Sequence, residues 1–168
     1  VTKERLFSKV IVNLNKTSDN LSTEMTLRAM AYEKYGKYAS AKKGVNLIDS
    51  LITKVGLNPE VYRIVDGSGV SHYNLVSVEL LNEVLVYMNL YHPKLFELLH
   101  ESFPIAGVDG TLKYRMKEGS AYNNVHAKTG TLSGASSLSG YLYNKNGNLL
   151  SFSISIQNFV GSSRQART

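Results

Sequence analysis

The sequence predicts an α+β fold in which helices pack on an antiparallel sheet. Three observations lead there. Apolar residues recur at helical spacing in successive segments between Leu6 and His100. From about Val125 the chain turns β-branched, small and aromatic, with the period of a strand. Finally, Asn144-Lys145-Asn146-Gly147 parts two such alternating runs, as a hairpin turn does.

The elements follow in order. Leu6, Phe7, Val10, Ile11 and Leu14 mark a helix that the chain enters at once from Val1 and leaves at the polar run Asn15–Asn20. A second helix spans about 21–35, with Met25, Leu27, Met30 and Tyr32, and stops at Gly36. A third, about 41–55, carries Val45, Ile48, Leu51, Ile52 and Val55 on one face and stops at Gly56. Residues 61–65, Val-Tyr-Arg-Ile-Val, read as a strand entering the turn Asp66-Gly67-Ser68-Gly69. Ser77 can cap a fourth helix bearing Leu80, Leu81, Val84, Leu85 and Met88, and Pro93 suits the first turn of a short fifth one, 94–100. Strands are expected at 125–131, 138–143 and 149–156; in the last, Ser151, Ser153 and Ser155 alternate with Phe152, Ile154 and Ile156. No internal repeat or linker divides the chain, so residues 1–168 are read as one domain.

Composition narrows the classes. With 43% hydrophobic and 19% charged residues among 168, the chain can build a core, which sets aside disordered and collagen-like classes. No apolar run is long enough to cross a membrane. The absence of Cys excludes a disulfide framework and a thiolate zinc site while leaving the compartment open. Lys+Arg 19 against Asp+Glu 13 gives a net charge of +6. The basic residues are scattered, the densest set being Lys34, Lys37, Lys42 and Lys43, so a solvated surface is expected and no nucleic-acid partner. His72, His92, His100 and His126 form no metal-binding spacing and read as surface or helix-end residues; neither metal nor cofactor is expected. Tyr32, Tyr35 and Tyr38, about one helical turn apart, read as packing between helices.

Two short motifs carry chemistry: Ser18-Asp19-Asn20, and Lys128-Thr129-Gly130-Thr131 on the first strand of the sheet. Alone, each reads equally as a helix cap or a glycine-relieved strand. Together, Ser-x-Asn and Lys-Thr-Gly are two of the three motifs of active-site-serine enzymes that handle penicillins and D-Ala-D-Ala peptides, the third being a nucleophile in Ser-x-x-Lys. Four blocks extend the match: Asn15-Lys16-Thr17-Ser18-Asp19-Asn20-Leu21; Asp66-Gly67-Ser68-Gly69-Val70-Ser71-His72-Tyr73-Asn74; Ala106-Gly107-Val108-Asp109-Gly110-Thr111-Leu112; and Ala127-Lys128-Thr129-Gly130-Thr131-Leu132-Ser133-Gly134. In order and spacing they resemble the penicillin-binding protein 4-type D-alanyl-D-alanine carboxypeptidase/endopeptidases, the class C low-molecular-mass group. Two departures stand out. Val70-Ser71-His72 replaces the family's usual Leu-Ser-Arg, and the usual C-terminal helix is absent after Thr168.

The resemblance implies the C-terminal portion of a serine β-lactamase/penicillin-binding-protein transpeptidase-like fold, truncated at both ends. It implies a covalent acyl-enzyme acting on peptidoglycan stem peptides and blocked by β-lactams, in the bacterial cell envelope, periplasmic or extracytoplasmic. By the same resemblance Ser18 relays a proton toward the leaving nitrogen and Asn20 bonds the substrate's peptide carbonyl. Lys128 sets a positive charge near Ser18 and the terminal carboxylate, and the Thr129 hydroxyl donates to that carboxylate. Gly130 lets substrate lie close to the strand, and the Thr131 N–H is an oxyanion donor. Ser40-Ala41-Lys42-Lys43 fits Ser-x-x-Lys literally but follows the Ser-x-Asn loop in a Lys-rich stretch, so it reads as a decoy and the nucleophile is expected upstream of Val1. Ser68 and Ser71 do not meet Gly-x-Ser-x-Gly; their segment reads as a turn held by Gly67 and Gly69 with Asp66 or Asn74 capping. Such a fragment is expected to dimerise, swap or need the missing N-terminal part of its own domain. The alternative is a noncatalytic module that binds D-Ala-D-Ala or peptidoglycan.

Overall fold

Asp19, Ser40 and Ser77 each start a helix by the same means: a side-chain oxygen accepts the N–H of Leu21 at 3.1 Å, of Lys43 at 3.2 Å and of Leu80 at 3.0 Å. The computed structural model describes residues 6–167. Residues 1–5, where the first helix is expected to begin, and residue 168 lie outside the described residues. The helices are α1 (Phe7–Thr17), α2 (Asn20–Tyr35), α3 (Ala41–Lys54), α4 (Val78–Tyr91) and α5 (Pro93–Ser102); the strands are β1 (His126–Leu132), β2 (Ala135–Tyr143) and β3 (Leu149–Gln157). They form two compact units, one of residues up to Ser18 and from Leu85 onward, the other of Asp19–Val84.

In the Asp19–Val84 unit, α2 and α3 approach so closely that a Cβ on Gly44 would lie 2.7 Å from the carbonyl oxygen of Leu27. Leu27, Ala31, Ile52 and Leu80 are buried. The strand expected at 61–65 does not form. Asn58 caps a 3₁₀ turn at Pro59–Val61, and among the described residues a single β-bridge, Arg63 to Leu75, joins the segment to another. Proline at the first position pre-sets the turn, and β-branched residues without a neighbouring strand make no sheet. Tyr32 and Tyr38 do not pack between helices; they are 64% and 69% exposed, and the Lys43 ammonium lies 4.9 Å from the Tyr35 ring centre and 5.9 Å from that of Tyr38. Part of the basic set is therefore stacked on aromatic faces.

The Asp66-Gly67-Ser68-Gly69 loop is organised by carboxylates. Asp66 accepts from the N–H of Gly69 at 2.5 Å, the N–H of Ser71 at 2.8 Å and the Asn74 amide at 3.1 Å. Burial alone would raise the Asp66 carboxyl, but these donors outweigh it and hold the group below its ordinary value. Glu24 on α2 takes the N–H groups of Gly67 and Ser68 at 2.8 and 2.9 Å, tying the loop down from a position the sequence did not mark.

In the other unit the three strands run β1-β2-β3, all antiparallel. β2 starts at Ala135, earlier than its apolar pattern indicates, because the Ser133-Gly134 turn places Ala135 directly opposite Leu132. The Asn144–Gly147 turn joins β2 to β3, with Asn144 Oδ1 accepting from the N–H groups of Asn146 and Asn148. Alternation gives the sheet two covered faces. Ala127, Leu138, Leu142 and Phe152 meet Ala106, Leu112 and Val125 on one. On the other, Tyr141 and Leu149 meet Leu85, Phe96, Leu99 and Phe103 from α4, α5 and the residue that follows. The Tyr141 hydroxyl donates to the Leu85 carbonyl at 2.8 Å, and burial raises its pKa. The apolar row of β3 continues to Ile154 and Ile156, which are 55% and 39% exposed.

His100 stands at a helix end, in the last turn of α5, as expected, but neither it nor His126 on β1 is a surface residue. Their rings stack at 4.1 Å, both half-buried, with the Tyr141 ring beside that of His100. Burial first, then the neighbouring His126 and Lys16, bring the His100 pKa down to about 4. Burial lowers that of His126 as well. His100 Nε2 is buried with no hydrogen-bond partner among the described residues, so a proton there carries an unsolvated charge. The unfolded chain takes that proton near the ordinary histidine value and the native ring only near pH 4, so stability is full above that value and falls as pH drops toward 4. Thermal melts between about pH 7 and pH 4 are expected to show a shallower fall for His100→Gln than for wild type. Parallel slopes would refute the linkage.

Candidate active site

The Ser-x-Asn motif sits at the end of α1, and three contacts fix that end. Asn15, buried, donates to Ser102 Oγ at 2.7 Å, and Ser102 donates on to the Leu99 carbonyl at 2.6 Å. Lys16 Nζ donates to the Phe103 carbonyl at 2.6 Å and to Asp109 Oδ2 at 2.7 Å. Ser18 then ends the helix with φ 56° and ψ 51°, its N–H returned to the Leu14 carbonyl. Left-handed backbone at a residue with a side chain is uncommon, and here it leaves the Ser18 hydroxyl exposed.

Lys128 comes from the sheet. It follows Ala127, which is fully buried, and points to the opposite face of β1. Its ammonium donates to Ser18 Oγ at 2.7 Å and to the Thr129 carbonyl at 2.8 Å. Burial lowers the pKa of this lysine, which makes its proton easier to give up. Thr129 and Thr131 share the other face. Thr129 donates its hydroxyl proton to Thr111 Oγ1 at 2.9 Å, and Thr131 Oγ1 accepts from Arg167 Nη2 at 2.7 Å. Gly130 lies opposite Ser137, and a Cβ on it would collide with Ser137 Oγ. Asn20 belongs to the Asp19–Val84 unit, where it opens α2, exposed, with its carbonyl accepting from Thr23 Oγ1 at 2.9 Å.

Of the residues read from sequence, Ser18, Lys128 and Thr129 therefore form one connected group. Ser40 caps α3, and Lys43, its partner in the literal Ser-x-x-Lys, is stacked on tyrosines. Among the described residues no cluster of three His, Asp or Glu could hold a metal ion, and no helix is long and apolar enough to cross a membrane. Sequence reasoning missed Lys16, Asp109, Thr111 and Arg167 as supports of the site. The first three lay inside blocks already marked as distinctive, which was the available signal.

Comparison with known proteins decides the family. Residues 3–168 match the D-Ala-D-Ala carboxypeptidase 3 (S13) family. The chain belongs to this family. It is 36% identical over 145 residues to the D-alanyl-D-alanine carboxypeptidase DacB of Haemophilus influenzae, covering 85% of this chain and 30% of the relative. The crystal structure of penicillin binding protein 4 (dacB) from H. influenzae superposes with a TM-score of 0.83 at 34% identity, covering 92% of this chain and 34% of that one; that protein is also known complexed with a novel β-lactam. The TLA-3 extended-spectrum β-lactamase shares the fold, with a TM-score of 0.65 at 18% identity over 98% of this chain and 60% of that one. The fold is thus the α+β architecture of penicillin-binding proteins and serine β-lactamases, and this S13 chain spans about a third of the length of the relatives it matches.

Proposed function

We propose that this chain forms the substrate-facing wall of a penicillin-sensitive serine D-Ala-D-Ala carboxypeptidase/endopeptidase that acts on peptidoglycan stem peptides in the bacterial cell envelope, periplasmic or extracytoplasmic. The reading rests on one contact above all. Lys128 and Ser18, 110 positions apart, meet at 2.7 Å.

In this reading a serine in a Ser-x-x-Lys motif outside residues 1–168 gives its hydroxyl proton to the lysine of that motif as its oxygen attacks the carbonyl carbon of the penultimate D-Ala. The new C–O bond replaces the C–N bond, and the departing D-Ala nitrogen takes a proton through the Ser18 hydroxyl, which the Lys128 ammonium holds and resupplies. Thr131 N–H serves the oxyanion, Asn20 the peptide carbonyl, Gly130 the close approach of substrate, and Lys128 with Thr129 the terminal carboxylate. Water then cleaves the ester. A β-lactam follows the first half of this path, but its leaving nitrogen stays tethered. The exposed Ile154 and Ile156 on β3 favour pairing of this sheet with the rest of its own domain, or with a second copy.

The denatured intact mass of the 168-residue chain and of the full-length protein, each before and after penicillin, tests the proposal. A penicilloyl adduct on the full-length protein alone is expected. An adduct on the short chain would return attention to Ser40, and none on either would favour the noncatalytic binding module.

A further inference from the structure

The turn Asp109-Gly110-Thr111 belongs to a block that the mechanism above leaves without a task. Asp109 locks it in place. One carboxylate oxygen accepts the Ile105 N–H at 2.8 Å and the other takes the Lys16 ammonium at 2.7 Å, in an ion pair whose lysine side chain is only 17% exposed. Gly110, at φ +53°, lies so near α1 that a Cβ would stand 2.7 Å from the Lys16 carbonyl oxygen. The turn is thereby seated on the last turn of α1, beside Ser18. It presents Thr111, exposed, to the Thr129 hydroxyl at 2.9 Å.

The proton count gives this contact a direction. A hydroxyl has one proton to donate. In this contact Thr129 gives its proton to Thr111, so the role assigned to Thr129 at the terminal carboxylate is exercised through the Thr111 hydroxyl, whose own proton is the one left for an incoming anion. The β1 edge between Ser18 and Thr111 carries no neighbouring strand among the described residues, β1 being paired with β2 alone beyond the single bridge at His126. We infer that Thr111 is a substrate-binding, specificity-determining residue: its hydroxyl, fed by Thr129 and held by the Lys16–Asp109 clamp, donates to the terminal carboxylate of the substrate. The inference rests on the acyl-enzyme reading above and assigns that site's anion contact to a residue outside its motifs.

The test uses the full-length protein, with Thr111→Val to remove the hydroxyl and Thr111→Ser to keep it. The readouts are KM and kcat for a peptide ending in D-Ala-D-Ala, and acylation rates with benzylpenicillin and with its methyl ester, which lacks the anion. A hydrogen bond to a charged group implies about a tenfold rise in KM and about a tenfold slower acylation by the acid for Thr111→Val. The ester rate should hold, kcat should change little, and Thr111→Ser should restore wild-type behaviour. Equal losses on acid and ester, or no loss on either, overturn the assignment while the acyl-enzyme reading stands. A wild-type protein that takes no adduct overturns both.

Discussion

Lys128→Met in the full-length protein is expected to slow acylation by penicillin about a hundredfold or more, the scale of losing one preorganised charged donor in an active site. Methionine keeps the length and apolar stem of the side chain, so β1 keeps its packing. What goes is the ammonium that donates to Ser18 Oγ at 2.7 Å and to the Thr129 carbonyl at 2.8 Å. Arginine is no substitute, because a planar fork cannot meet both acceptors from the same half-buried position. Since Ser18 and Lys128 share one hydrogen bond, the proposed relay predicts that Ser18→Ala added to Lys128→Met costs far less than Ser18→Ala alone. Ser40→Ala, which removes only a helix cap, serves as the control. Acylation of Lys128→Met within a few-fold of wild type would separate the 2.7 Å contact from the chemistry.

The second large effect falls on stability. Alanine for glycine inside a strand ordinarily gains about 0.5–1 kcal/mol. Gly140→Ala is expected to do the opposite and cost about 3 kcal/mol, the upper range for forcing a methyl into filled space. Gly140 on β2 faces Ala127 on β1, and its Cβ would collide with the His126 carbonyl oxygen and lie 2.6 Å from the Ala127 Cα. Backbone atoms cannot swing aside as a side-chain tip can. Relief would have to come from shifting β1 beside Lys128, so acylation should fall along with the urea midpoint. An unchanged or raised midpoint would show that the sheet accommodates the methyl.

What the sequence made legible was local. The apolar period of α3, the proline at the start of α5, the Ser77 cap and the Asn144–Gly147 turn each depend on neighbours within a few residues, and each appears where the pattern places it. Tertiary partners were not legible. Residues 61–65 have β-forming side chains but one bridge in place of a strand; His100 and His126 carry no spacing signal, yet stack because α5 and β1 converge. The same holds in the site. Ser18 and Lys128 could be named from their motifs, whereas Lys16 and Asp109, 93 positions apart, acquire their role only when the 105–112 turn settles on α1.

Ser18 holds a backbone conformation that glycine adopts freely and that costs a residue with a Cβ roughly 1 kcal/mol. Glycine there would satisfy the end of α1 at least as well, while leaving the Lys128 ammonium with no hydroxyl to meet. Folding and chemistry ask for different residues at this one position. Engineering guided by melting temperature alone would thus drift toward glycine at 18 and trade away the proposed proton relay for a better-behaved helix end.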